Sequence, residues 1–123
     1  MDDVELLDLA AKAYASQDIK KLNFGAWFNG ARGAYWNPLA DDGDAFRLET
    51  EMSFTVVFWA KGVEVGEFEF VKKELRAVIG KSAYETYSCH GGDKNAARRK
   101  AATRAAAKIG RANINPLTPG DAK

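Results

Sequence analysis

The sequence contains one cysteine, one histidine and three prolines among its 123 residues, and it has no long apolar run. Cys89 cannot form a disulfide within the chain, so we expect a fold that needs no oxidising compartment. The most apolar run, Phe54 to Ala60, is seven residues long, whereas a membrane span needs about 20. The first residues are acidic where a secretory signal is basic. We therefore expect a soluble cytoplasmic protein with no membrane association.

The residue patterns of catalytic sites are also missing. A metal site needs three or four ligands, and Cys89 with its neighbour His90 supplies only two. Adjacent residues at the end of a strand do not face each other, so this pair does not fit a nucleophile and its base. Gly80-Lys81-Ser82 has the ending of a phosphate-binding loop, but Leu75 occupies the position of its first glycine. The sequence predicts a protein that is not an enzyme, with no catalytic residue, metal or cofactor.

Charge is balanced overall but distributed unevenly along the chain. The net charge is +1, with 18 Lys+Arg against 17 Asp+Glu. Residues 1–51 carry ten acids and five bases, residues 52–92 carry five of each, and residues 93–123 carry two acids and eight bases. Such polarity within a small protein indicates either charge pairing inside the fold or one face directed at a polyanion.

Two helices are predicted in the N-terminal half. Residues 3–16 place apolar side chains on one side, and the acids at the N-terminal end suit the helix dipole. Residues 42–51 show apolar positions at i, i+3 and i+7, which predicts a short second helix. Asp41, Asp42 and Asp44 lack the alternate spacing and the closing glutamate of a calcium loop. We interpret these aspartates as helix caps.

Residues 22–37 combine turn signals with aromatic residues. Three glycines and Asn29-Gly30 favour turns, whereas large aromatic side chains are costly to leave in water. The segment is therefore predicted to form a short hairpin or an ordered loop packed against the domain. The alternative is an aromatic interaction surface. Its candidate residues are Trp27, Phe28, Tyr35 and Trp36.

Three strands are predicted in the middle of the chain. Residues 53–60 are mainly β-branched and aromatic, which indicates a central strand covered on both faces. Residues 63–71 follow as a second strand, with its phenylalanines on a buried face and its glutamates on a wet one. Residues 72–81 are ambiguous, with a turn indicated at Gly80-Lys81. Residues 83–88 are predicted as the third strand.

A long basic helix is predicted from Asp93 to Ile109, with Gly110 as its stop. Its alanines indicate close packing against a sheet. From Lys94 to Arg111 the sequence has seven bases and no acid. These bases either form a solvated face that pairs with the acidic N-terminal half, or bind the phosphates of a nucleic acid. The candidate phosphate-binding residues are Arg98, Arg99, Lys100, Arg104, Lys108 and Arg111.

Together these elements predict a single α+β domain over residues 1–112, followed by a flexible C-terminal tail, residues 113–123. We expect one antiparallel sheet of three or so strands with helices packed against it, in layers like those of an alpha-beta-alpha sandwich. Long helices are expected at both ends of the domain.

Two segments carry a family resemblance. They are Trp36-Asn37-Pro38-Leu39-Ala40-Asp41-Asp42-Gly43-Asp44-Ala45-Phe46-Arg47-Leu48 and Arg104-Ala105-Ala106-Ala107-Lys108-Ile109-Gly110. They resemble the phage ABA sandwich domain family of small phage and prophage proteins, and the resemblance spans most of residues 3–112. It implies an α+β sandwich of phage origin. The family has no established function, so it implies no site residue. Members tend to have Glu near position 108, where this chain has Lys.

The segment Arg98-Arg99-Lys100-Ala101-Ala102-Thr103-Arg104-Ala105-Ala106 carries a second resemblance. It is similar to the opening of the second helix in double-stranded-RNA-binding domains, Lys-Lys-x-Ala-Lys-x-x-Ala-Ala, whose lysines bind phosphates. Both leading bases and all three alanines are present, whereas Ala102 replaces the third lysine. About 36 residues are also inserted before the first strand. This resemblance is a topological analogy and implies binding of duplex RNA.

The function that we expect from the sequence is that of a small, non-enzymatic phage or prophage protein. It would act as an accessory or interaction protein inside the bacterial host, with a host or phage protein as its partner. The alternative is a nucleic-acid-binding protein that uses residues 94–111 to bind duplex RNA or DNA. The sequence does not indicate whether the protein is a monomer or an oligomer.

Overall fold

The computed structural model describes residues 2–114, which form three α-helices and two antiparallel three-stranded sheets. The elements are α1 Asp3–Tyr14, β1 Ile19–Lys21, β2 Trp27–Asn29, β3 Ala34–Trp36, α2 Asp42–Glu51, β4 Thr55–Phe58, β5 Gly62–Val71, β6 Glu74–Thr86, a 3-10 turn at Ser88–His90, and α3 Lys94–Ile114. The predicted α+β fold class and both terminal helices are confirmed. The predicted tail, residues 113–123, lies outside the described residues beyond Ile114.

Aspartate side chains cap both N-terminal helices. Asp2 accepts a hydrogen bond from the Glu5 amide at 2.9 Å at the start of α1. Asp41 accepts one from the Asp44 amide at 3.1 Å at the start of α2. Each cap satisfies an N–H that has no partner within its helix, which is typically worth about 1 kcal/mol. The interpretation of the aspartates as caps is confirmed for Asp41.

The aromatic segment forms most of the first sheet, which has the strand order β1-β2-β3. Strands β2 and β3 pair as a hairpin, with Trp27 opposite Trp36 and Phe28 opposite Tyr35. Trp36 is buried and stacks on Tyr14 of α1, with 5.5 Å between the ring centroids. The predicted hairpin packed against the domain is therefore present. Strand β1 is absent from the sequence prediction, because two of its three residues are lysines.

Strand β4 lies at the edge of the second sheet, so the prediction of a central strand covered on both faces is wrong. The strand order is β4-β5-β6, which makes β5 central. Val56 of β4 pairs with Val65 and packs toward α3, whereas Thr55 and Phe58 are exposed. The apolar composition of residues 53–60 indicated two buried faces, but α3 covers only one.

The ambiguous residues 72–81 form the turn between β5 and β6 and the first half of β6. Lys72 and Lys73 make the turn, with φ angles of 52° and 70°. Gly80 is not a turn, so that prediction is wrong. It lies in an irregular stretch of β6, opposite the register shift between Gly66 and Phe68 of β5.

The outer half of the β5–β6 hairpin has no buried residue. Every side chain from residue 67 to residue 82 is partly or fully exposed, and Phe70 is 77% exposed. The expectation that the phenylalanines of β5 lie on a buried face is therefore wrong for Phe70. Helix α3 packs on Val63 and Val65 at the start of β5, and Phe70 lies beyond that contact.

Helix α3 packs against two partners through alanine side chains. One set of buried alanines lies against Val63 and Val65 of β5. Another set, which includes Ala106, lies against Ala10 and Ala11 of α1. Small side chains let the backbones approach closely without leaving voids. The predicted close approach to a sheet is confirmed, and it extends to a second surface on α1.

The prediction that the last helix stops at Gly110 is wrong, because α3 continues to Ile114. A Cβ at position 110 would overlap the carbonyl group of Leu9 in α1. The backbones of the two helices therefore touch at this position. A glycine near a helix end usually favours termination, but here its missing side chain makes room for α1.

We expect Gly110→Ala to destabilise the protein by about 1–3 kcal/mol, because the added methyl group forces α1 and α3 apart. Without that clash, replacing glycine by alanine would stabilise the helix by roughly 0.5–1 kcal/mol through its higher helix propensity. Asn113→Ala, at an exposed position of the same helix, is the control for that gain. Urea unfolding followed by circular dichroism measures both variants. A Gly110→Ala variant as stable as the wild type would contradict the close helix contact.

Candidate functional site

Arg98 forms a partly buried ion pair with Glu49 of α2. Its Nε and Nη2 atoms donate to both carboxylate oxygens, at 2.5–3.2 Å. The Glu49 residue is only 3% exposed, and its hydrogen bonds raise the pKa of Arg98 above the ordinary value. Because two parallel charge-assisted hydrogen bonds fix geometry as well as add energy, this pair orients α2 against α3.

The next two bases of α3 contact other N-terminal elements. Arg99 donates from Nε to the Leu39 carbonyl at 3.0 Å and from Nη1 to Asp42 at 2.6 Å. Lys100 lies 3.3 Å from the carboxylate of Asp3 in α1. Both aspartates are largely exposed, so these two ion pairs contribute little stability. The carbonyl contact of Arg99 is the more specific constraint.

Two further bases of α3 reach strand β6. Arg104 donates from Nη1 to the Tyr84 carbonyl at 3.1 Å and also to the Glu85 carboxylate. Lys108 donates from Nζ to the Ser82 carbonyl at 2.6 Å. Arg98, Arg99, Lys100 and Arg104 thus pair with acids of α2, α1 and β6, which is charge pairing inside the fold. Arg111 forms no ion pair within residues 2–114.

Four of the six candidate phosphate-binding residues nevertheless line one groove between α1 and α3. We call it the basic groove. It has a volume of about 420 Å³ and an apolar floor, and its lining residues are Leu6, Lys100, Arg104, Ala107, Lys108 and Arg111. Arg98 and Arg99 lie apart from it, beside α2. The structure thus divides the predicted basic face in two.

The four aromatic candidates also lie in different environments. Trp36 is in the core, and the pKa of its stacking partner Tyr14 is raised by burial, with a further contribution from the Glu51 carboxylate. Trp27 is half-buried and donates from Nε1 to Asp8 at 2.9 Å. Phe28 and Tyr35 pair across the strands and meet edge to face, with 6.0 Å between centroids.

An aromatic groove of about 440 Å³ lies beside the first sheet. Its lining residues are Leu7, Phe24, Ala26, Trp27, Tyr35, Trp36 and Asn37. Phe24 and Tyr35 form its rim, 71% and 61% exposed, with 6.4 Å between their ring centroids. Phe28 lies outside the groove. Phe24 belongs to the aromatic segment for which burial was expected, and it is not among the four candidate residues of the interaction surface.

The segment from Trp36 to Leu48 that carries the family resemblance is a structural unit. The side chain of Asn37 accepts from the Leu39 amide at 3.0 Å. The buried Asp44 accepts from the Asn37 amide at 2.9 Å and from Arg47 at 2.6 Å. Trp36 and Leu48 belong to the core. These contacts join β3 to α2, although two buried nitrogens of the segment, Trp36 Nε1 and Arg47 Nε, have no hydrogen-bond partner within residues 2–114.

His90 and Cys89 have separate partners. His90 Nε2 lies 2.7 Å from Glu85 Oε1, whereas the exposed Cys89 accepts a hydrogen bond from Thr86 at 2.9 Å. Within residues 2–114 no group of three His, Cys, Asp or Glu side chains lies close enough to hold a metal ion. Nor does any helix in that range have the length and apolar character of a membrane span.

The chain has no match among protein-family models, curated proteins or solved structures.

We expect Glu49→Gln to cost about 2 kcal/mol of stability, because it leaves the Arg98 charge without its partner in a partly buried position. Asp42→Asn removes an acid from the neighbouring arginine at an exposed site and is the matched control, with a loss below about 1 kcal/mol. Urea unfolding at neutral pH measures both. Equal losses would show that the buried pair contributes no more than the exposed one.

Proposed function

We propose that this chain is a small, non-enzymatic interaction protein of a phage or prophage, and that it binds a protein partner in the cytoplasm of the bacterial host. The observation that carries this proposal is the rim of the aromatic groove, where Phe24 and Tyr35 are exposed beside a recess lined by Trp27 and Leu7.

Aromatic side chains at such a position favour association. Tyrosine and phenylalanine bury a large apolar area with few rotatable bonds, so they lose little conformational freedom on binding. They are enriched at the centres of protein interfaces, where they fill recesses in the partner. The stacked Trp36 and the Trp27–Asp8 hydrogen bond hold the floor of the groove in place.

The phage or prophage origin rests on the segment Trp36 to Leu48 and its resemblance to a phage family. The internal contacts of that segment support a role in folding. The partner surface is therefore sought outside it, on residues whose exposure the fold does not require.

We expect Phe24→Ala combined with Tyr35→Ala to abolish partner binding without unfolding the protein, because both side chains are largely exposed. Phe46→Ala is the matched control, since Phe46 of α2 is an equally exposed aromatic residue away from the groove. Affinity capture from host lysate, quantified by mass spectrometry, compares the variants with the wild type. Retention of every captured protein by the double variant would contradict the role of the groove.

Nucleic-acid binding is the second candidate function, and the basic groove favours it. Lys100, Arg104, Lys108 and Arg111 follow one another along about 16 Å of the axis of α3 and share the groove. A row of cations on one helix face is the arrangement that neutralises successive phosphates. Lys100, Arg104 and Lys108 also make contacts within the fold. A test therefore uses Arg111 together with Lys100, whose 3.3 Å contact is to an exposed aspartate.

We expect Lys100→Glu combined with Arg111→Glu to reduce binding of labelled duplex RNA and DNA at least tenfold, and to lower the salt dependence by about two units of slope. Lys12→Glu with Lys20→Glu changes the net charge equally at exposed positions elsewhere. Fluorescence anisotropy at two salt concentrations provides the measurement. No binding at low salt, or an equal loss in the control, would remove this candidate.

A further inference from the structure

The second sheet has an outer face that no helix within residues 2–114 covers. Along β5, side chains alternate between the two faces. Val63 and Val65 point toward α3, so Glu64 lies on the opposite face. Glu64 is opposite Val57 of β4 and Tyr84 of β6, which places these three residues in one cross-strand row. We call this side of the sheet the outer face.

The outer face is largely apolar and partly exposed. Beyond the register shift, Phe68 and Phe70 of β5 pair with Ala77 and Leu75 of β6, so the same hairpin carries further apolar side chains. Phe70 is the most exposed residue of these pairs, while Leu75 and Tyr84 are each exposed by about 40%. Phe68, Phe70, Leu75 and Ala77 belong to neither buried cluster of the core. Apolar faces of this kind are usually covered by a further layer.

One carboxylate lies within this apolar face without a cation. Glu64 accepts two long hydrogen bonds, both 3.4 Å, from Trp59 Nε1 and Ser82 Oγ. Within residues 2–114 it forms no ion pair, although it is half-buried. Lys81, the nearest lysine along β6, pairs instead with Glu67. A half-buried carboxylate of this kind is stabilised strongly by a cation that arrives together with apolar surface.

We infer that the outer face is a docking surface for a protein partner that presents a lysine or arginine surrounded by apolar side chains. The cation would pair with Glu64, and the apolar side chains would cover Tyr84 and Phe70. This inference rests on the proposed function, because it names the chemistry of a partner that the protein binds. It adds a second binding surface, separate from the aromatic groove, for a partner segment of its own.

The charge of the face argues against two other occupants. If a second copy docked face to face about a two-fold axis near the row of Glu64, it would bring two unpaired carboxylates together, which is unfavourable. A nucleic acid would bring phosphates to a surface whose cross-strand rows at Glu64, Phe68 and Phe70 contain one acid and no lysine or arginine. A cationic protein segment is the occupant that complements both the charge and the apolar surface.

The experiment begins with selection of random linear peptides, displayed as a library, against the purified full-length chain. Enriched peptides are expected to carry a lysine or arginine flanked by apolar residues. A synthetic peptide of that sequence and its glutamine counterpart are then measured by fluorescence anisotropy against the wild type and Glu64→Gln. In this double-mutant cycle, we expect loss of either charge to weaken binding about tenfold or more, and loss of both to add little further.

Two control variants separate the surfaces. Glu67→Gln removes a different carboxylate of β5, one that does not lie on the outer face. Tyr35→Ala alters the rim of the aromatic groove. Neither is expected to change binding of the selected peptide. Tyr84→Ala is expected to weaken it, with thermal unfolding by circular dichroism confirming that each variant remains folded.

Three results would overturn this inference. They are a selection without enrichment of basic peptides, peptide binding that is unchanged by Glu64→Gln, and a dimer in sedimentation that Phe70→Ser dissociates. Peptide binding lost only with Tyr35→Ala would overturn the inference and support the proposed function at the aromatic groove. A partner captured by the wild type and lost with Phe24→Ala and Tyr35→Ala would likewise leave the proposed function intact.

Discussion

The close approach of α3 to α1 on one side and to β5 on the other is the constraint on which the rest of the fold depends. Helix α3 lies in both core clusters, and only small side chains fit at its contacts. At Gly110 even a methyl group is too large, because the Leu9 carbonyl occupies that space. A central helix made of alanine contributes little apolar area of its own. Its stability therefore depends on the tightness of the fit and on polar contacts at its margins.

Those polar contacts explain why the helix is basic. Long arginine and lysine side chains extend past the alanine contacts and reach groups on three neighbouring elements. Arg98 reaches Glu49, Lys100 reaches Asp3, and Arg104 reaches Glu85. The charge asymmetry between the two ends of the chain is therefore largely an attraction that forms within the fold. Arg111, which lines the basic groove, is the exception, because it has no such partner within the described residues.

Local signals allowed much of the fold to be predicted from the sequence. Periodicity and an acidic N-terminal end predicted α1, periodicity and capping aspartates predicted α2, and the composition of residues 53–71 predicted two strands. The wrong predictions concern positions whose structural role depends on an element distant in the sequence. Gly110 has the local signature of a helix stop, but its role is set by Leu9, about 100 residues earlier. The strand over residues 53–60 has the composition of a central strand, but its neighbours place it at an edge.

The candidate sites were harder to predict for the same reason. The sequence groups Trp27, Phe28, Tyr35 and Trp36 as one aromatic set, yet strand alternation sends neighbouring residues to opposite faces. The six candidate phosphate-binding bases of α3 likewise form one set in the sequence and two in the structure. Their separation depends on where α2 lies, which no local pattern specifies. Glu64 was missed because a glutamate in an alternating strand normally faces water.

The contacts of Arg104 and Lys108 with β6 have a consequence for self-association. The Tyr87 amide donates to the Lys61 carbonyl, so alternate residues of β6 pair with β5, and the carbonyls of Ser82 and Tyr84 point to the free edge of the strand. An open edge is a template on which other chains can add strands and start aggregates. By occupying these two carbonyls, the basic helix closes the inner half of that edge to a further strand. The first half of β6 receives no such hydrogen bond from α3, so its edge stays open to a further strand.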